Sequence, residues 1–137
     1  MKSALFLMLC GCVLLVDAPA SGEEEVDCNN AMTQHDMNAC SNKDYEAADA
    51  RLNAQWKLTK KAMADVDSEL DENLKGASKA LLEGQRAWIA YRDAQCTLEG
   101  FEARGGSMEP MLVSGCLAEL TDARTKELKA LADGPGN

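Results

Sequence analysis

The sequence predicts an all-α fold: a three-helix up-and-down bundle with a long first helix, stapled by two disulfides. Apolar residues recur at three- and four-residue steps through most of the chain, which is the helical period, and no stretch alternates as a half-buried strand would. Breaks around Gly76 and at Gly105-Gly106 divide that pattern into three parts. No internal repeat or low-complexity segment competes with this reading.

Residues 1–20 read as a secretory signal. Lys2 supplies the charge, Ala4 to Val16 is almost wholly apolar, and Ala18-Pro19-Ala20 offers the small residues a leader peptidase needs. The apolar run, about 13 residues, falls short of the ~20 that a bilayer-spanning helix requires, so no membrane insertion is expected. A rival reading takes Leu9-Cys10-Gly11-Cys12 as a lipoprotein box with a lipid anchor on Cys12. Because the apolar stretch continues past Cys12 and a good cleavage site follows it, cleavage after Ala20 is preferred. The product is then periplasmic or secreted. Residues 21–27, with Glu23-Glu24-Glu25, form a mobile acidic lead-in. Residues 28–133 make a single helical domain, and 134–137 a C-terminal tail.

Thr33 followed by Asp36 forms a capping box, with Asp replacing the usual Glu, and opens the first helix. Met37, Cys40, Ala48, Leu52, Trp56, Thr59, Met63 and Val66 supply its apolar stripe. Roughly thirty residues of helix reach ~45 Å. The pattern then meets Asp65, Asp67, Glu69, Asp71 and Glu72, an acidic connection ending near Gly76. The second helix is expected from about Ala77 to Ala103, with Leu74, Ala77, Leu81, Trp88 and Tyr91 on one stripe. Within it Gln85, Trp88, Arg92 and Cys96 stand one turn apart, so amide, indole, guanidinium and thiol share a face. Gly105-Gly106 ends this helix by admitting a left-handed residue. Ser107, ahead of Glu109 and Pro110, is the expected cap of the third helix. Leu112, Cys116, Leu120, Ala123, Leu128 and Leu131 form its stripe, and Gly134-Pro135-Gly136 stops it.

Fourteen basic and 23 acidic residues give the 137-residue chain a net charge of −9, and losing Lys2 and Asp17 with the signal leaves it unchanged. Such a field repels nucleic acid and anionic lipid and attracts cationic proteins, although solubility alone is reason enough for it. Cys28, Cys40, Cys96 and Cys116 remain after the signal, an even set that an exporting cell oxidises. Four cysteines allow three connectivities. The sequence-local pairs Cys28–Cys40 and Cys96–Cys116 are favoured because each bridge closes a short loop between adjacent elements, at about 3 kcal/mol apiece. No Cys-x-x-Cys knuckle exists and His35 is the single histidine, so neither metal nor cofactor is expected.

Asp49, Asn53, Trp56, Trp88 and Arg92 are expected to form a structural cluster between the first two helices, with Asp49 and Arg92 as a bidentate ion pair. A carboxylate held ionised by arginine is a poor general acid, and no serine sits in a nucleophile elbow. The chain therefore reads as a non-enzyme. His35, in the first turn of a helix, is expected to face solvent, and Met37 and Met63 to fill core.

Taken together these residues resemble a known family, the LprI-like lysozyme inhibitors, small exported bacterial domains. The resemblance rests on Cys28, the run Thr33 to Cys40, Ala48-Asp49, Leu52-Asn53 and the aromatic at 56. It continues through Gln85-Arg86-Ala87-Trp88, Tyr91-Arg92-Asp93, Cys96, and Gly105-Gly106-Ser107 leading to Cys116. Trp56 stands where a Tyr is commoner in the family. The resemblance implies a binding protein whose partner is a cationic lysozyme. Contact would fall to protruding segments: Asp65, Asp67, Glu69, Asp71 and Glu72 in the connection, or Gly105, Gly106 and Met108 in the turn. The alternative is an envelope interaction module that binds another periplasmic protein. The oligomeric state is left open.

Overall fold

A computed structural model describes residues 26–134. The signal at 1–20 and most of the lead-in lie outside the described residues, as does the tail beyond Gly134. Three α-helices, with no strand among the described residues, make up the domain: α1 (Gln34–Glu69), α2 (Ala77–Gly100) and α3 (Glu109–Asp133). A single 3-10 turn, Phe101–Ala103, extends α2.

The capping box forms as expected. The Asp36 N–H donates to Thr33 Oγ1 at 3.1 Å and the Thr33 N–H donates to Asp36 Oδ2 at 3.3 Å. From there α1 runs for 36 residues, ~54 Å of helix, until Leu70 turns extended. Gly76 then takes φ +152° at the head of α2, a conformation few L side chains adopt, and it brings no side-chain cap of its own. Across the connection Asp67 does the capping. Its carboxylate accepts from the N–H groups of Gly76, Ala77 and Ser78 at 2.8, 2.8 and 2.9 Å.

The helix order is up, down, up, so α1 and α3 lie parallel and α2 antiparallel to both. Ser41 Oγ donates to the Met111 carbonyl at 3.0 Å and Thr59 Oγ1 to the Leu128 carbonyl at 2.9 Å, which holds α3 along α1 at a constant register. Between these bonds Arg51 grips both oxygens of Asp122 at 2.9 to 3.0 Å. At the lower end α2 approaches α3 closely. A Cβ on Gly100 would sit 2.6 Å from Val113 Cγ2, so any side chain here would force Val113 to move. The Cys96–Cys116 bridge lies one turn away, with Cα atoms 5.4 Å apart. Cys28–Cys40 pairs at 5.5 Å and folds the segment before Thr33 back onto α1. Both sequence-local bridges therefore form.

The buried aliphatic core is small: Leu52, Leu81 and Leu128, with Trp56, Met63 and Trp88 packed partly against it. The expected stripe on α2 needs correction. Leu74 and Tyr91 are exposed, at 62% and 57%, because Leu74 falls in the connection and Tyr91 lies about 100° around the helix from Arg92. The buried face instead steps through Leu81, Gln85, Trp88, Arg92 and Cys96. Val66 and Leu131 are likewise exposed, at 42% and 48%. Ser107 does not cap α3. Met108 occupies the cap position, and the Ser107 carbonyl accepts from Asn38 Nδ2 of α1 at 2.9 Å instead.

Candidate interaction surfaces and the aromatic-arginine seam

The face shared by Gln85, Trp88, Arg92 and Cys96 points inward. Arg92 lies between two rings, with its guanidinium carbon 5.1 Å from the Trp88 centroid and 5.7 Å from the Tyr45 centroid. Its Nη1 donates to Thr121 Oγ1 at 3.4 Å, so this one side chain touches all three helices. The carboxylate at Arg92 is Asp93, whose Oδ1 accepts from Nε at 2.9 Å and lies 2.8 Å from Nη2. Asp49 accepts from Asn53 Nδ2 at 2.7 Å. The expected pair between Asp49 and Arg92 is therefore replaced by two local contacts, since each residue finds a partner on its own helix. Arg124 of α3 closes the cluster, donating to Gln85 Oε1 at 3.0 Å and lying 5.9 Å from the Trp88 centroid.

Tyr45, Thr121 and Arg124 were not anticipated as members. Tyr45 does stand on the α1 stripe, between Cys40 and Ala48, and that spacing is the signal that finds it. Thr121 and Arg124 sit beside the apolar positions of α3, where polar residues ordinarily signal solvent. Trp56 belongs to a neighbouring feature. With Lys60, Ser78, Leu81 and Leu82 it lines an apolar cleft of about 270 Å3 between α1 and the start of α2, and the Lys60 ammonium lies 5.8 Å from its ring centroid.

The two expected contact segments lie at opposite ends of the bundle. The 24 residues of α2 keep them ~36 Å apart. In the acidic connection most carboxylates are already engaged: Asp67 caps α2, Asp65 pairs with Lys61, and Glu72 pairs with Lys75. Three N–H donors hold the Asp67 carboxyl far below its ordinary value near 3.8. Glu69 and Asp71 stay exposed. At the other end Gly105 takes φ +76°, and Glu109 reaches back to accept from its N–H at 2.7 Å and from Arg104 Nη1 at 2.6 Å. The bond from Gly105, opposed by some desolvation and aided by Arg104, lowers the Glu109 carboxyl below its usual range. Gly106 and Met108 are exposed in this turn. Among the described residues no group of His, Cys, Asp or Glu is arranged to hold a metal, and no helix is long and apolar enough to cross a membrane.

A short all-α domain with two disulfides and an arginine locked between aromatic rings is the class these features define. The chain belongs to the family of the lysozyme inhibitor LprI, which it matches over residues 27–128. It is 55% identical to an uncharacterized protein of Rhizobium meliloti (strain 1021), over 98% of this chain and 96% of the relative. No solved structure matches it.

Proposed function

We propose that this protein is an exported, non-enzymatic inhibitor of lysozyme that works by protein-protein contact. The observation that carries the reading is membership of a family named for that inhibition, across nearly the whole described domain. Two disulfides suit an oxidising compartment outside the cytoplasm and support export. Lysozymes cut glycan with a pair of carboxylates in a cleft and are commonly cationic outside it, so an acidic inhibitor gains association rate from steering.

Glu69 and Asp71 are the steering charges in this reading, because the other acids of the connection are spent on capping and on lysines. The turn at Gly105, Gly106 and Met108 is the other protruding segment. Its distance from the acidic end makes it a separate contact rather than part of the same one.

Loss of turbidity of a bacterial suspension under a cationic lysozyme, with and without purified protein at low salt, tests the proposal. Slowing at micromolar inhibitor, relieved by added salt, is expected. The double substitution Glu69→Lys, Asp71→Lys should cut the association rate several-fold without moving the melting temperature. No slowing at micromolar excess rejects inhibition of that lysozyme and favours the alternative, an envelope module with another protein partner.

A further inference from the structure

One exposed flank of α2 has no helix packed on it among the described residues, and its pattern is not that of a solvated face. Ala80, Gly84, Ala87, Tyr91, Ala94 and Leu98 recur at alternating steps of four and three, and Phe101 continues the line into the 3-10 turn. That is the repeat of a coiled-coil seam. Every one of these residues is exposed, Tyr91 by 57%, Leu98 by 63% and Phe101 by 55%. An amphipathic helix of a monomer ordinarily carries charge along this line.

Gly84 adds a second observation. A glycine inside a helix destabilises it relative to alanine, and a Cβ placed here would meet nothing within 4 Å. Nothing among the described residues requires the bare position. A close approach from outside the chain would.

We propose that this face packs antiparallel against the same face of a second copy. The seam is small at its N-terminal end and large at its C-terminal end, which makes it complementary to itself only when reversed. With Tyr91 on the two-fold axis, Phe101 of one copy lies over Ala80 of the other, Leu98 over Gly84, and Ala94 beside Ala87. Parallel alignment would stack the large residues on each other and leave the small ones facing a gap. Charge permits the same arrangement. The chain is strongly acidic, but α2 carries three basic and three acidic side chains; Glu83 and Glu102 are the charges in the rows that flank the seam, and the Arg104 guanidinium lies 4.7 Å from the Phe101 centroid. Reversed alignment sets Glu83 near Thr97 and Glu102 near Leu81, so neither carboxylate meets its like. A single pair of helices about this long buries area at the low end for stable complexes, so association at micromolar concentration is expected.

Sedimentation equilibrium of the purified disulfide-bonded protein, from low-micromolar to near-millimolar concentration, tests this. A reversible monomer-dimer equilibrium is expected. Leu98→Glu should shift it at least ten-fold towards monomer with an unchanged circular dichroism spectrum. Gly84→Gln gives the sharper reading: it should raise the melting temperature of the dilute monomer, as a better helix former, while weakening the dimer. A monomer at every concentration overturns the proposal and leaves the seam to a helix of some other protein. So does a dimer that both substitutions leave intact.

Discussion

Arg92 is the residue at which contacts from all three helices converge. A guanidinium suits the place because it is planar enough to lie between the Trp88 and Tyr45 rings and still has donors at its edge for Asp93 and Thr121. Arg92→Ala would leave a ring-lined gap and remove the partner of the Thr121 hydroxyl, at a cost of roughly 2 kcal/mol. Arg92→Lys keeps the charge without the fork and should recover less than half of that loss. Urea unfolding of the three proteins checks it, and an alanine variant as stable as the parent would refute the assignment. Much of this site was legible in the sequence: the turn-by-turn spacing of Gln85, Trp88, Arg92 and Cys96 already put them on one face. Which acid pairs with Arg92 was not legible. Periodicity places a side chain on a face, whereas partner choice depends on rotamers and helix rotation, and these made Asp93 nearer than Asp49.

Helix boundaries show the same division. The start of α1 follows from Thr33 and Asp36 because a capping box is local chemistry, complete within four residues. The start of α2 at Ala77 follows from Gly76, but its cap is Asp67, nine residues before Gly76 and inside the preceding helix, which no local signal announces. A run of acids invites a reading as a binding surface, yet here one of them closes a turn. The consequence is visible in acid. The folded-state carboxyl of Asp67 lies below its unfolded value, so its contribution is complete above pH about 3.8 and is lost as pH falls through the folded value. Glu109, lowered from about 4.5, adds a second loss of the same sign. Asp67→Asn should therefore lower the melting temperature at neutral pH, and the gap from the parent should close in strong acid. A constant gap between pH 2 and pH 7 would contradict the capping role. α3 illustrates the opposite case, since Ser107 looks like a cap in sequence but is drawn to Asn38 of α1 by the packing of the lower end.

At the scale of the whole molecule the thin core makes covalent links important. Three buried leucines cannot supply the stability of a larger domain. The two bridges share the load unequally. Cys96 and Cys116 are buried beside the Gly100 contact, whereas Cys28 is exposed in the segment before α1. Replacing Cys96 and Cys116 together by alanine should cost about 3 kcal/mol or more, and replacing Cys28 and Cys40 noticeably less. Chemical denaturation of the two double variants decides, and an equal or reversed loss would show that the exposed bridge matters more than its position implies. The sequence by itself determined the helix count, the two breaks and the family, and favoured without fixing the cysteine pairing that the structure shows, because helical period and glycine placement are properties of nearby residues. Only the tertiary structure decided which carboxylates are engaged, how far apart the two protruding segments stand, and which apolar face of α2 is left uncovered. Those depend on the angle at which three helices meet, and a residue pattern fixes the faces that pack more tightly than the rotation with which they do so.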